Sequence, residues 1–177
     1  GIFIKKIMIK IQKINKLLTN KQIFFWVNCL NDKDINKFSD QKFKKHTFLS
    51  QKKFFLNKIN SKNCLLYKII YKNLFVGIIE ISNIDINHKK CEIGFIVGNK
   101  YLWGKNIASK AISKMCNIAK KKKIRLIYTY VYENNIASQK ALLKNKFKFE
   151  SKIKNFYLFK EKKTFLKLDC KIYTKNL

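Results

Sequence analysis

The segment "IGFIVGNKYLWGKNIASKAI", residues 93–112, passes from an apolar run of strand character through a short loop into residues that read as a helix. Two of the chain's five glycines, Gly98 and Gly104, bracket "NKYLW". From Ile107 to Lys121 the apolar residues Ile107, Ala108, Ala111, Ile112, Met115, Ile118 and Ala119 recur at three- and four-residue spacing, which predicts an amphipathic helix. A strand ending in glycine and a helix beginning near one leave several backbone N–H groups unobstructed. The first amides of a helix lack intrahelical partners and carry about half a positive charge, so "LWGKNIA" can cradle an anion such as a pyrophosphate. The same glycines can also serve only to turn the chain. The stretch is no Walker loop, since G-x-x-x-x-G-K-[ST] is missing, and it has no dinucleotide fingerprint.

The flanking sequence alternates two grains. "IMIKIQKI" (7–14) alternates apolar and polar residues as a strand does, whereas "NKLLTNKQIFFWVNCL" (15–30) and "HTFLSQKKFFLNKI" (46–59) space their apolar residues helically. Thr47 or Ser50 can cap the second of these helices. "CLLYKIIY" and "LFVGIIEIS" are β-rich runs joined by "KN", a turn of hairpin length, and "CEIGFIV" is a third. After the 107–121 helix come the strand "IRLIYTYVY", the short helix "NIASQKALLK", and a closing hairpin of "FKFESKIKNFYLF" and "TFLKLDCKIY" around "KEKK". The order β, α, α, β, β, β, α, β, α, β, β predicts an α+β fold, a mixed α/β sheet with helices on its faces.

The 177 residues fit one domain, and 47% hydrophobic residues suffice for a core. The formal charge of +30 would by itself suggest nucleic acid or an anionic membrane. Against that, Arg125 is the only arginine, proline is absent, and lysine is scattered through every segment. That pattern is what AT-rich codon usage produces, and bidentate phosphate or base contacts would call for arginine, so a nucleic-acid partner is not expected. The five cysteines are widely spaced with no C-x-x-C, which indicates neither a disulfide framework nor zinc, and a reduced cytoplasmic location is expected. "GIFIKKIMIK" makes a poor signal peptide because lysines break its apolar run. Residues 1–8 are expected to be disordered or to precede an alternative start, with Met8 a candidate initiator. No uninterrupted apolar stretch of ~18 residues exists to span a membrane.

Taken together, strand, G-x-x-x-x-x-G-K, helix, strand and N-x-x-S in this order resemble the GNAT family of acetyl-CoA-dependent N-acetyltransferases over nearly the whole chain. Within it the sequence looks most like the ribosomal-protein acetyltransferase-like branch, and there like enzymes that acetylate nucleotide-linked amino sugars. The resemblance implies a single GNAT domain over 1–177, with a mostly antiparallel, twisted sheet flanked by helices and acetyl-CoA as cosubstrate without a metal. It places the pyrophosphate on backbone amides of Tyr101, Leu102, Trp103, Gly104, Lys105 and Asn106, leading into Ile107 and Ala108. It lays the pantetheine arm along Ile93 to Val97, with Phe95, Ile96 and Val97 alongside it, and sets Asn135 and Ser138 against the far part of CoA. Four positions depart from the family pattern: Tyr101 replaces Gln or Arg, Asn106 the second Gly, Leu142 a tyrosine that acts as general acid, and Lys146 a Gly before Phe147.

N-acetylation by direct attack needs a neutral amine, so a base must take the ammonium proton. Glu92, at the start of the central strand, is the first candidate, with Tyr130 and Tyr132 on the neighbouring strand as alternatives; the acid stays unassigned. Backbone N–H groups near Ile96 and Val97 can stabilise the oxyanion. On the acceptor side, Trp26, His46, Thr47 and His88 are candidates for contacting the substrate, although Trp26 suits a core and His88 a solvated turn. The expected activity is acetyl transfer to the primary amine of a small acceptor, a nucleotide-linked amino sugar. The alternatives are the N-terminus of a ribosomal protein, or an impaired GNAT-like basic module that binds RNA or a ribosome. A monomer or a homodimer is expected.

Overall fold

Gly98 ends a central strand because a helix presses on it. In a computed structural model, which describes residues 8–161 and 163–177, a Cβ at Gly98 would lie 2.4 Å from Cys29 Sγ. The thiol in turn donates to the Gly98 carbonyl at 3.2 Å. Apart from Met8, the expectation for the first residues falls outside the described ones.

Among the described residues seven strands and four α-helices follow the expected order: β1 (Ile9–Lys13), α1 (Asn20–Asn31), α2 (Phe48–Asn60), β2 (Leu65–Tyr71), β3 (Leu74–Asp85), β4 (Lys90–Val97), α3 (Ile107–Lys121), β5 (Leu126–Tyr132), α4 (Ile136–Lys144), β6 (Lys148–Glu161) and β7 (Thr164–Asn176). The predicted first helix loses Asn15 to Leu18 because Thr19 forms a capping box with Gln22 and sets the start at Asn20. At α2 both expected caps act together, the Thr47 hydroxyl accepting from the Ser50 amide and the Ser50 hydroxyl from the Thr47 amide. Lys72 and Asn73 both take positive φ, as a two-residue turn between β2 and β3 requires.

The sheet order is β1-β2-β3-β4-β5-β7-β6. Every pair is antiparallel except β4 with β5. A side-chain period of two along β4 gives each face its own core. Ile93 packs with Ile112, Met115, Ile127 and Leu142 on the α3/α4 side. Ile96 packs against the cluster of Trp26, Phe55 and Ile78 on the α1/α2 side. All five cysteines are free and buried. No helix among the described residues is long and apolar enough to cross a membrane.

Candidate active site

β4 and β5 begin as neighbours and then part. Their parallel pairing covers only Lys90 with Leu126, Cys91 with Ile127 and Glu92 with Tyr128. Beyond that point β4 stays with β3 as far as Val97, and β5 stays with β7 as far as Tyr132. The β4 edge from Ile93 to Val97 therefore faces β5 with no strand partner among the described residues. The gap opens into a cavity of about 380 Å³, lined by Gly94, Phe95 and Ile96 from one strand and Thr129 to Tyr132 from the other. Trp26, Gln51 and Phe54 of α1 and α2, the 38–41 segment, Asn135 and Ser138 also line it.

Glu92 lines this cavity at the point where pairing ends. Burial pushes its carboxyl up from the ordinary value and the Glu80 carboxylate adds to that, while a hydrogen bond from Asn83 and the Lys58 charge oppose it. Asn83 donates to Glu92 at 2.9 Å from a β-bulge, where the β3–β4 register shifts and Asn83 itself has a φ of 49°. Glu80 sits opposite Gly94 on β3 and also lines the cavity. Its carboxylate accepts from Lys58 at 2.7 Å and from the Cys64 thiol at 3.2 Å. Burial works against the Lys58 charge, but Glu80 outweighs it and holds the ammonium above its usual range. The sequence reading missed Glu80 and Lys58; the sole signal was a carboxylate at the polar break in the apolar run "FVGIIEIS".

Tyr130 reaches the cavity from β5, 40% exposed, in edge contact with Tyr128 and stacked on Phe156. Tyr132 is buried and its hydroxyl accepts from Lys42 at 2.6 Å. Lys42 also lies over the Tyr132 and Phe159 rings, and Lys37 over Phe38 and Phe159.

The glycine loop lies past the end of β4, and none of its residues from Gly98 to Asn106 lines the cavity. Tyr101 is exposed, with its amide on the Asn99 side chain. Leu102 and Ile107 are buried and anchor the loop in the core, where Ala108 packs at the edge. Trp103 folds back, its indole N–H donating to the Val97 carbonyl at 3.1 Å. Gly104 has a φ of +75° and open space where a Cβ would sit. Lys105 closes a turn onto the Leu102 carbonyl. Asn106 takes the left-handed conformation, φ 60°, where the family pattern has glycine, and it caps α3 without a side-chain bond to the helix amides. Those amides stay available to an anion, which is the condition a pyrophosphate needs. Asn135 caps α4 by accepting from the Ser138 amide at 3.2 Å, and both line the cavity. Leu142 is fully buried in the α3/α4 core, so no hydroxyl reaches the gap from that position.

The acceptor-side candidates separate. Trp26 is 1% exposed and still lines the cavity. His46 is buried with both ring nitrogens engaged, Nε2 on the Gln41 carbonyl and Nδ1 on the Gln51 amide, so it holds the segment before α2 in place and does not line the cavity. Thr47 is committed to its cap. The structure does not bring His88 to the site: it sits in the β3–β4 turn, bonded to Asp85, away from the lining residues. No cluster of three potential metal-binding side chains occurs among the described residues.

Comparison with known proteins agrees with this geometry. The model of the acetyltransferase (GNAT) domain matches residues 21–148. No curated protein matches the chain. Among solved structures, spermidine N-acetyltransferase from Vibrio cholerae in complex with CoA and spermine superposes with a TM-score of 0.79 at 15% identity over 95% of both chains. The microcin self-immunity acetyltransferase MccE with acetyl-CoA and AMP gives 0.77 at 18% over 95% of this chain and 93% of that one. The ribosomal alpha-N-protein acetyltransferase RimL in complex with coenzyme A gives 0.78 at 16% over 94% of each. A seven-stranded mixed sheet that splays between β4 and β5, with open amides beyond it and a family model matched over most of the chain, leaves one assignment: the chain belongs to the GNAT family of acetyl-CoA-dependent N-acetyltransferases.

Proposed function

We propose that the protein transfers acetyl from acetyl-CoA to the primary amine of a small acceptor, an amino sugar carried on a nucleotide. The observation that carries this reading is the parting of β4 from β5 directly after Glu92, which sets a half-buried carboxylate at the head of an open strand edge. Pantetheine fits that edge as an added strand, with the pyrophosphate on the amides that open α3. Glu92 takes the proton from the acceptor ammonium; the neutral nitrogen then bonds the acetyl carbon as the C–S bond breaks. Tyr130, exposed into the cavity from the other side of the gap, is placed to return a proton to the departing sulfur. Glu80 adds a second carboxylate that favours a cationic amine over a neutral one. Near the cavity, Lys37 and Lys42 over Phe38, Tyr132 and Phe159 offer cations and ring faces that suit a phosphate-bearing nucleotide.

A panel of nucleotide-linked amino sugars, spermidine and peptide N-termini, assayed for free thiol release, tests the reading. Amino-sugar nucleotides are expected to be acetylated with the highest kcat/KM. Turnover confined to spermidine or to peptides, or no turnover with any of them, would overturn it. Calorimetric titration supplies an independent measure. Gly104→Pro should weaken acetyl-CoA binding by tenfold or more, on the order of 1.4 kcal/mol, because proline cannot take the +75° φ found there.

A further inference from the structure

We infer that Asn83 is a positioning residue for acetyl transfer: a bulge in β3 turns its amide onto the Glu92 carboxylate and holds that group ready to accept a proton. The inference rests on the reading above, in which Glu92 is the base. Along a regular strand, successive side chains point to opposite faces. Ser82 is the cross-strand partner of Glu92, so an unbroken β3 would send Asn83 to the α3/α4 side of the sheet, away from the Glu92 carboxylate. Ser82 and Asn83 instead line one cavity together, against Phe54, Asn57 and Lys58 of α2. The bulge explains this. The β3–β4 register shifts after Ser82, Asn83 takes a φ of 49°, and its side chain swings to the α2 side, where Nδ2 donates to Glu92 Oε2 at 2.9 Å. Glycine adopts such a backbone most cheaply but brings no amide; asparagine tolerates it and brings one.

An ionised carboxylate only accepts hydrogen bonds, so an amide N–H aimed at it favours the charged form, the form a base needs. The other groups around Glu92 are divided. Burial and the Glu80 carboxylate on β3 raise its pKa, and the Lys58 ammonium on α2 opposes them. Lys58 is itself committed to Glu80 at 2.7 Å. On β5, Tyr128 is the partner of Glu92 in the last parallel pair. Burial and then the Glu92 charge push its hydroxyl up, with the Asn83 side chain opposing that rise. On β7, burial pushes the Cys170 thiol up and the Glu92 charge adds to it. Both of these groups stay neutral near pH 7 and supply no charge to Glu92. Among the described residues, Asn83 is thus the side chain that bonds the carboxylate directly. Without it the carboxyl would stay protonated to higher pH and meet the acceptor ammonium with its proton site already filled.

The test follows the Glu92 carboxyl itself by carbon-13 NMR titration, its signal assigned by disappearance in Glu92→Gln, which requires no acceptor. Asn83→Gly keeps the positive φ and removes the amide. Its Glu92 midpoint should rise by about one pH unit, the size of one hydrogen bond to a charged group at a partly exposed site, and the ascending limb of kcat against pH, measured by thiol release, should move up with it. Asn83→Asp keeps the size and the backbone but replaces the donor with a second carboxylate, so the midpoint should rise at least as far. Acetyl-CoA titration of each variant confirms that it folds. A merely structural Asn83 would change Tm, or kcat at every pH, and leave the midpoint in place. An unmoved or lowered midpoint in both variants would therefore overturn the inference while leaving Glu92 as the base. A midpoint that rises while the ascending limb stays fixed would instead show that Glu92 is not the base, and would remove that reading and the role of Asn83 with it.

Discussion

At the residue scale the proposed base is Glu92, whose charge burial and the Glu80 carboxylate both disfavour against the hydrogen bond from Asn83. Its folded pKa lies above the unfolded value. The stability linked to its protonated form is therefore present at low pH and lost as pH rises through the folded pKa. The same displacement makes it a better base near neutrality. Glu92→Gln should lower kcat by roughly 10²–10⁴, the usual weight of a general base, with acetyl-CoA affinity unchanged and the ascending limb of the pH–rate profile abolished. The variant should also be as stable as the parent or more so at pH 8, which urea denaturation measures; a retained ascending limb would assign the base elsewhere. Glu92 can be singled out as a candidate in sequence because it lies near the start of a strand followed by a glycine loop. Glu80, Gln51 and Lys58 are not, because their meaning depends on which face of β3 meets α2. That face is set by the β3–β4 register and its bulge at Asn83, features with no local signature. His46 looks chemically available in sequence for the same reason: its partners Gln41 and Gln51 are recognisable only once the 3-10 turn at 40–43 is seen to fold against α2.

At the element scale, periodicity and caps carry most of the information. The α3 boundaries follow from spacing alone, and the Thr19 and Thr47 capping boxes fix two further helix starts. Less legible is how α1 lies on β4. Its contact at Gly98 leaves no room for a Cβ, which would sit 2.4 Å from Cys29 Sγ and 3.2 Å from Cys29 Cβ. Gly98→Ala should therefore cost about 1–3 kcal/mol by overpacking, read from the denaturation midpoint. In a Cys29→Ala background the penalty should shrink, since the sulfur responsible for the closest approach is gone. A double-mutant cycle separates this from a backbone effect: additive losses would mean that Gly98 matters for its conformation and not for the helix it admits. The positive-φ residues Asn106 and Lys146 follow a different logic. Asn106 and Lys146 both stand where the family pattern has glycine, and both take positive φ, 60° and 62°. Both positions thus hold a left-handed backbone without the residue that adopts it most cheaply.

For the molecule as a whole, the unbalanced quantity is charge. Forty Lys and Arg face ten Asp and Glu, and the ion pairs that do form, such as Lys58–Glu80, Lys100 with Asp32 and Asp34, and Lys152–Asp169, engage few of those cations. Lys58–Glu80 is partly buried, but exposed pairs such as Lys100–Asp34 contribute little, with a median near 0–1 kcal/mol. Self-repulsion among the remaining lysines opposes the compact state, and it is long-ranged, so salt screens it over a Debye length of about 10 Å at 0.1 M. Added NaCl therefore acts in opposite directions on the two contributions, weakening the few attractions and relieving the many repulsions. Relief should dominate. Calorimetric Tm is expected to rise between low and physiological NaCl by roughly 2–4 °C, as about 1 kcal/mol would produce in a chain of this size. Sodium chloride is the salt to use, because sulfate strengthens apolar burial in any protein and would raise Tm without regard to charge. A Tm that falls with NaCl would show that the ion pairs outweigh the repulsion, and that the lysine excess is neutralised in ways that net charge does not express.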